Sequence, residues 1–193
     1  MRPRVAVLVS GRPGAGKSTL AAALGPALGL PVYSKDVVKE VLFDWIGTGD
    51  REWSRRLGAA AAEALWAMLA HSPHGGIVEM PMGQGIRELI AHHLADAEID
   101  AHCELWCDVA PSVAASRFAA RAAGRHPGHL SHLDVAAAQG RRIDVTYDGP
   151  LALGPVLRVP TDRTVDLAAV VRWVREVTGG AADRGVVGVS EDS

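Results

Sequence analysis

The sequence predicts a single α/β domain in which strands and helices alternate. Short apolar runs typical of strands occur at residues 4–9, 30–33, 77–80, 101–107 and 156–159, with helix-like spacing of apolar residues between them. The 193 residues are enough for one sizeable core. No internal repeat, long linker or second core interrupts the pattern, so we expect one domain over residues 1–178 and a polar, disordered tail over residues 179–193.

The first strand leads into the most informative stretch of the chain. Residues 11–19 read G-R-P-G-A-G-K-S-T and match the phosphate-binding pattern G-x-x-x-x-G-K-[ST]. The β-branched run before them predicts a buried strand, and the Ala-rich segment after them predicts a helix that ends near Gly29. A structural alternative is a glycine-rich turn that carries an exposed lysine.

This stretch has the chemistry to bind a nucleoside triphosphate with Mg²⁺. Glycines allow backbone N–H groups to surround phosphate oxygens, and the start of a helix adds further donors. We expect Lys17 to bind the β- and γ-phosphates and the Ser18 hydroxyl to bind Mg²⁺. The predicted nucleotide-binding residues are Gly11, Arg12, Pro13, Gly14, Ala15, Gly16, Lys17, Ser18 and Thr19.

The second strand, residues 30–33, ends at Ser34-Lys35-Asp36, where a helical pattern begins. Asp36 could simply cap that helix, as aspartate often does. Alternatively, it is a functional carboxylate at the carboxyl end of a parallel strand, where open α/β sheets bind ligands.

A break at residues 47–49 separates that helix from a long Ala-rich one over residues 51–70, which Asp50 can cap. Trp45 and Trp53 flank the break; core packing is favoured for them over a role as pocket walls. The arginines near the start of the long helix are expected to form a solvated face rather than a substrate clamp; they are Arg51, Arg55 and Arg56.

Glu79 interrupts the third strand near its end, where a carboxylate can reach Mg²⁺ through water. The loop at residues 81–85 follows on the same side of the sheet. Arg87, on the next helix, is expected to face either the site or solvent.

The fourth strand, residues 101–107, is followed by Asp108 as the expected helix cap. Cys103 and Cys107 lie on one face of the strand and are expected to be reduced core residues, with a redox pair as the alternative.

The composition favours a cytoplasmic protein with no membrane segment or signal peptide. The net charge is −2, no apolar run reaches about 18 residues, and the apolar run near the N-terminus is short.

The following helix, residues 112–123, leads into a basic segment. Arg117, Arg121 and Arg125 recur every four residues and favour an anion clamp over a solvated face. Residues 124–129 are polar and rich in helix breakers, which predicts a mobile loop over the site.

A metal site at His126, His129 and His132 is disfavoured, because the three straddle a Pro-Gly turn and only Asp134 joins them. After the last strand, residues 165–177 have the apolar spacing of a final helix, and Thr161 and Asp162 are expected to mark its start.

With these motifs, residues 4–177 resemble the small P-loop kinases. The narrower resemblance is to the predicted-kinase group of AAA-type ATP-binding proteins, alongside zeta toxins, chloramphenicol phosphotransferase and the kinase domain of bacterial polynucleotide kinase. It implies a three-layer fold, a five-stranded parallel sheet in the order 2-3-1-4-5 with helices on both faces. It also implies that Asp36 is the general base, which could also touch the metal, and that an arginine-bearing lid spans about residues 117–140.

The chain departs from these relatives at two positions. Several carry an arginine shortly after the aspartate, where this chain has Lys39, and Glu79 replaces the commoner aspartate at the third strand. The guanine-binding pattern N-K-x-D is absent, which favours ATP as the nucleotide.

The leading hypothesis is an ATP- and Mg²⁺-dependent kinase acting on a hydroxyl of a metabolite, nucleoside, sugar or antibiotic. Asp36 would accept the proton, Lys17 with Arg121 or Arg125 would stabilise the transferring group, and Arg117 and Arg121 would also contact the nucleotide. Trp45, Trp53 and Met82 favour a partly apolar acceptor. The alternatives are a polynucleotide 5′-hydroxyl kinase, which the acidic net charge disfavours, and an ATP-binding switch or toxin-like module.

Overall fold

The computed structural model describes residues 3–121, 124–129 and 149–179. Among these residues, the elements in chain order are β1 (Val5–Ser10), α1 (Lys17–Leu28), β2 (Val32–Ser34), α2 (Lys35–Ile46), α3 (Arg51–His71), β3 (Gly75–Glu79), a 3₁₀ turn (Gln84–Ile86), α4 (Arg87–Asp96), β4 (Ala101–Asp108), α5 (Pro111–Ala120), β5 (Val156–Pro160) and α6 (Leu167–Val177). The tail expected over residues 179–193 lies outside the described residues, apart from Gly179.

The five strands form one parallel sheet in the order β2-β3-β1-β4-β5, which confirms the expected fold. The central strand β1 pairs with β3 on one side, where Val5 lies opposite Gly75. On its other side β1 pairs with β4, where Val5 lies opposite Ala101. Because all strands run the same way, their carboxyl ends meet at one edge of the sheet, where such folds bind ligands.

Helices cover both faces of the sheet and create two apolar cores. Along β1, Val5, Val7 and Val9 face one core, while Ala6 and Leu8 face the other. The first core contains side chains of α1, α5 and α6, and the second contains side chains of α3 and α4. Each fully buried Val or Leu contributes roughly 1.5–3 kcal/mol, so burial on both faces holds the central strand firmly in place.

Several helix ends follow the expected capping chemistry. Helix α1 ends at Leu28, and Gly29 follows with a φ of 65°. The Asp50 side chain accepts a hydrogen bond from the Trp53 N–H at 2.8 Å, which caps α3 as predicted. The predicted start of the last helix near Thr161 is wrong, because α6 begins at Leu167 with Asp166 as its cap.

The two cysteines are buried and unbridged, as expected of core residues. Burial raises the pKa of both the Cys103 and Cys107 thiols to about 12, so both remain protonated near neutral pH. Asp108 is the last residue of β4 rather than a helix cap, since the residue before α5 is Ala110. Across residues 3–121, 124–129 and 149–179, no helix has both the length and the apolar character needed to cross a bilayer.

Candidate functional site

The phosphate loop connects β1 to α1 and lies at the carboxyl edge of the sheet. Gly14 and Gly16 adopt φ values of 84° and 89°, a conformation that L side chains rarely tolerate. A Cβ atom on Gly14 would lie 2.1 Å from the Ala114 carbonyl oxygen, so the loop rests directly on α5. The loop turns this way because glycine occupies both positions, and it brings Lys17 to the start of α1.

Lys17 is buried, with 7% of its surface exposed. Its Nζ atom donates hydrogen bonds to the carbonyl oxygens of Gly11 at 3.1 Å and Arg12 at 2.9 Å. Burial lowers the pKa of the ammonium group, and the nearby carboxylate of Glu79 partly opposes that shift. A cation held at this position suits the oxygens of a polyphosphate.

Glu79 ends β3 and joins the phosphate loop to β2. Its Oε1 atom accepts a hydrogen bond from the Ser18 hydroxyl at 3.3 Å, and its Oε2 atom accepts one from the Ser34 hydroxyl at 2.6 Å. The carboxylate is nearly fully buried. Two hydroxyls and one carboxylate form an all-oxygen donor set of the kind that Mg²⁺ prefers, so these residues fit the metal expected with a nucleotide.

Asp36 lies in the first turn of α2, which begins at Lys35, with Ser34 in the capping position. The alternative in which Asp36 caps the helix is therefore wrong. Its side chain is 47% exposed and pairs with the Lys35 ammonium group at 3.6 Å. The carboxylate is thus available to a ligand.

Asp36 and the phosphate loop line one cavity of about 370 Å³, here called the central cavity. Its polar lining brings together the predicted groups from separate parts of the chain. They are Lys17, Ser18, Asp36, Glu79, Arg121 and Arg125. Its apolar lining includes Val37, Pro81 and Phe118.

The three arginines of the predicted stripe lie on the same side of the molecule but in different surroundings. Helix α5 ends at Ala120, so the stripe is not one continuous helical face as expected. Arg121 lines the central cavity and also a second cavity. Arg125 lies over the Phe118 ring, with its guanidinium carbon 4.8 Å from the ring centroid. Each of the three arginines lines at least one of these two cavities, as an anion clamp would require.

The second cavity, here called the outer cavity, has a volume of about 600 Å³ and lies between α1, α5 and the segment before α6. Leu20, Ala23, Val165 and Leu167 give it mainly apolar walls. Arg117 also lines it and donates a hydrogen bond to the Thr161 carbonyl oxygen at 2.9 Å. Apolar walls with a guanidinium group suit a flat heteroaromatic ring such as a nucleobase.

The segment 126–129 packs against α2, whereas its sequence predicts a mobile loop. The His126 Nε2 atom lies 3.1 Å from the Asp44 carboxylate, and the His129 Nε2 atom lies 2.8 Å from the Glu40 carboxylate. The Phe43 ring stacks on His126, with centroids 5.3 Å apart. These two histidines bind carboxylates of α2. His132, Asp134 and residues 122–123 and 130–140 of the expected lid lie outside the described residues.

Three residues expected near an apolar acceptor do not line the central cavity. Trp45 is 86% exposed and packs in neither core, because the buried side of α2 is occupied by Lys39 and Phe43. Trp53 donates its indole N–H to the Gly47 carbonyl oxygen at 3.0 Å. Met82 is fully buried in the core that contains α3 and α4. The expectations for Trp45 and Met82 are therefore wrong.

Arg55 and Arg87 line neither the central nor the outer cavity. Arg55 pairs with Glu52 at 2.6 Å on the exposed face of α3, as expected. Arg87 is exposed to solvent, and its Nε atom donates to the Leu151 carbonyl oxygen at 2.9 Å. Sequence reasoning missed the buried Glu104, whose carboxylate accepts hydrogen bonds from the Ser10 hydroxyl and from the N–H groups of Leu151 and Ala152. A lone acid in an apolar strand was the available signal.

Comparisons with known proteins connect this geometry to kinases. No protein-family model matches the chain, and no curated protein matches it. A solved structure described as a "putative kinase" from Chloroflexus aurantiacus J-10-fl is 35% identical, with coverage of 92% of this chain and 99% of that one and a TM-score of 0.77.

Two more distant structures share the fold. The APS kinase of Mycobacterium tuberculosis in complex with AMPPNP and APS is 22% identical, covers 91% of this chain and 97% of its own, and gives a TM-score of 0.56. A sugar kinase from Janibacter sp. HTCC2649 is 14% identical, and the match covers 93% of this chain and 98% of that one, with a TM-score of 0.52.

The narrower resemblance to zeta toxins and chloramphenicol phosphotransferase stays a prediction. The broader family follows from the identity and coverage shared with the Chloroflexus protein, together with the phosphate loop and the strand order. This protein belongs to the P-loop kinase family.

Proposed function

We propose that this protein is an ATP-dependent kinase that transfers a phosphoryl group to a hydroxyl of a small molecule. The observation that carries the proposal is the central cavity, which is lined jointly by Lys17, Ser18, Asp36 and Arg121. A cation, a metal-binding hydroxyl, a carboxylate and a guanidinium group are the parts that phosphoryl transfer needs in one place.

The nucleotide would extend across both cavities. Its base would lie in the outer cavity beside Arg117, and its phosphates would reach Lys17 and the loop amides. Ser18 and Glu79 would hold Mg²⁺. When bound, ATP supplies the phosphoryl group, and Mg²⁺ offsets the negative charge on its oxygens.

Asp36 is the group best placed to receive the acceptor's proton. Its carboxylate has no capping role and is 47% exposed, with the Lys35 ammonium group at 3.6 Å. Arg121 and Arg125 line the same cavity, and one of them would stabilise negative charge as the phosphoryl group moves. The protein's contribution is position and electrostatics, which dominate this type of reaction.

The test is acceptor-stimulated ADP production with a panel of sugars, polyols, hydroxy acids, nucleosides and antibiotics, together with 5′-hydroxyl DNA and RNA. We expect Asp36→Asn to bind AMPPNP normally and to lower turnover by about 10²–10⁴-fold. Lys17→Ala should weaken AMPPNP binding itself. The matched control is Asp96→Asn, since Asp96 is an exposed acid on α4 that pairs with His92.

Each adverse outcome points to a specific alternative. Stimulation by oligonucleotides alone would replace the small-molecule acceptor with a nucleic-acid end. AMPPNP binding without stimulation by any member of the panel would favour the ATP-binding switch. Equal turnover in wild type and Asp36→Asn would remove Asp36 from the reaction.

A further inference from the structure

The part of the central cavity next to α3 contains a buried ammonium group that nucleotide binding does not need. Lys39 lies three residues after Asp36 on α2 and is only 9% exposed, yet it lines the cavity. Its Nζ atom donates a hydrogen bond to the Ser54 hydroxyl at 2.9 Å. The same atom lies 5.1 Å from the centroid of the Phe43 ring.

The acids that line this cavity already have partners. Asp36 pairs with Lys35, Glu40 binds His129, and Glu79 accepts hydrogen bonds from two serines. Among residues 3–121, 124–129 and 149–179, neither Lys39 nor Arg125 forms an ion pair with a carboxylate. Within this part of the chain Lys17 and Arg121 also lack such a partner, but the proposed function assigns them to the phosphates of ATP. Lys39 and Arg125 are therefore the cavity-lining cations left for a second anion.

A buried ammonium group without a counter-ion is costly, and the local charges add to the cost. Burial lowers the pKa of Lys39 to about 8, and the charges of Lys35 and Arg125 act in the same direction, against the carboxylate of Asp36. A surface lysine could turn into water, but Ser54 holds this one in place. An arrangement of this kind is stabilised when a bound anion supplies the missing charge.

We propose that the phosphate acceptor carries an oxyanion, which Lys39 and Arg125 bind while the acceptor's hydroxyl faces Asp36. The inference rests on the proposed kinase function and narrows its substrate class to hydroxyl compounds bearing a carboxylate, phosphate or sulfate. Lys39 is then a specificity-determining residue, and neutral sugars and polyols are poor acceptors.

The helix sets the spacing between the two ends of such an acceptor. Asp36 and Lys39 are three residues apart on α2, so they lie on one face about one helical turn, roughly 5 Å, from each other. The acceptor's hydroxyl and anion are therefore separated by only a few bonds. A cavity of about 370 Å³ that must also admit the terminal phosphate has room for a compact molecule of this kind.

Ser54 ties this subsite to the segment 126–129. Its hydroxyl accepts the hydrogen bond from Lys39 and donates one to the Gly128 carbonyl oxygen at 3.1 Å. Gly58, one turn further along α3, also borders the ammonium group, since a Cβ atom there would be in van der Waals contact with Nζ at 3.4 Å. Two elements and one loop segment therefore fix the position of a single charge.

The experiment measures sulfate binding by calorimetry to protein saturated with AMPPNP and Mg²⁺, at constant ionic strength. Saturation fills the phosphate loop, so sulfate cannot bind there, and the variants test whether the remaining site depends on Lys39. We expect saturable binding in wild type and at least tenfold weaker binding in Lys39→Met. Lys39→Arg should keep the affinity within about threefold, because it retains the charge. Arg172→Met, on the exposed side of α6, is the control for loss of a surface cation.

The outcomes separate this inference from the proposed function. Failure of AMPPNP to bind wild type would overturn the kinase assignment and this inference with it. Normal AMPPNP binding with no saturable sulfate site, or with equal sulfate affinity in wild type and Lys39→Met, would overturn the anion subsite alone. Unchanged AMPPNP affinity and circular dichroism in Lys39→Met establish that the variant is folded. A second variant, Ser54→Ala, should weaken sulfate binding less than Lys39→Met, because it keeps the charge but frees the side chain.

Discussion

The Glu79 carboxylate accepts a hydrogen bond from the Ser18 hydroxyl at 3.3 Å, although 61 residues separate the two in the chain. The contact brings the end of β3 to the first turn of α1, and Ser34 completes it from β2. The position expected to hold the metal is thus built from three elements that the parallel sheet brings to one edge.

We expect Glu79→Gln to weaken Mg²⁺-dependent nucleotide binding by about tenfold, because a neutral amide replaces a buried carboxylate in the metal's surroundings. Binding of AMPPNP without Mg²⁺ should change little, since the phosphates contact Lys17 and the loop. Calorimetric titrations with and without Mg²⁺ provide the measurement. Glu88→Gln, the same change at an exposed position on α4, is the control. An identical Mg²⁺ dependence in wild type and Glu79→Gln would exclude Glu79 from the metal site.

Sulfate binding to the AMPPNP-saturated protein should depend on the charge of Lys39. With a pKa of about 8, Lys39 is mostly charged at pH 7 and mostly neutral at pH 9. The affinity should therefore fall roughly tenfold as the pH rises from 7 to 9. The charges that face Lys39 are those of Lys35, Asp36 and Arg125, and His129 lines the same cavity.

Lys39→Arg separates this titration from the others. The guanidinium group stays charged throughout that range, so the variant should show no fall between pH 7 and pH 9. Burial lowers the pKa of His129, so its titration lies below this window. A fall that persists in Lys39→Arg would assign the pH dependence to another group, such as Lys17.

The segment 126–129 should become more dynamic when its histidines lose their partners on α2. In His126→Ala, the Gly128 N–H loses the His126 Nδ1 acceptor at 3.0 Å, and the ring no longer stacks on Phe43. We expect amide hydrogen exchange in a peptide covering residues 124–129 to speed up by about tenfold or more. His92→Ala is the matched control, because His92 also pairs with an aspartate but on the exposed face of α4. Equal exchange in all three proteins would mean that this packing does not hold the segment.

Alanine substitutions in the phosphate loop should differ in cost although both glycines have a positive φ. At Gly16 the nearest contact of an added Cβ is with Thr161 at 3.6 Å, an ordinary distance, so the cost is backbone strain of about 1–3 kcal/mol. At Gly14 the new Cβ would also lie 2.1 Å from the Ala114 carbonyl oxygen, so α5 must shift. Urea denaturation should therefore give a clearly lower free energy of unfolding for Gly14→Ala than for Gly16→Ala. The reverse order would show that the loop does not rest on α5.

Local sequence patterns correctly predicted the features that depend on residues close together in the chain. The motif at residues 11–19 predicted the strand, turn and helix around it, and Asp50 predicted the start of α3. The position of Asp36 just after β2, in the first turn of α2, followed from the change from strand to helix spacing. The strand order came from the family resemblance, because pairing between strands is not visible in a local pattern.

The predictions that were wrong depend on contacts between residues far apart in the chain. Trp45 was expected to pack in the core, but the buried side of α2 is taken by Lys39 and Phe43, which contact α3 and the segment 126–129. Alanine and arginine after residue 117 favoured a longer α5, whereas the helix closes when the Arg121 N–H bonds to the Phe118 carbonyl oxygen. The Ser54 contact with Gly128 spans 74 residues, and no local pattern reports it.

The loop that carries Lys17 also orients it. The Nζ atom donates hydrogen bonds to the carbonyl oxygens of Gly11 and Arg12, which use two of the three N–H groups of the ammonium. The third N–H group is left for a ligand oxygen, so the side chain can meet a phosphate without giving up either contact. The loop therefore presents a cation whose position is set by the backbone rather than by the ligand, which lowers the ordering cost of binding.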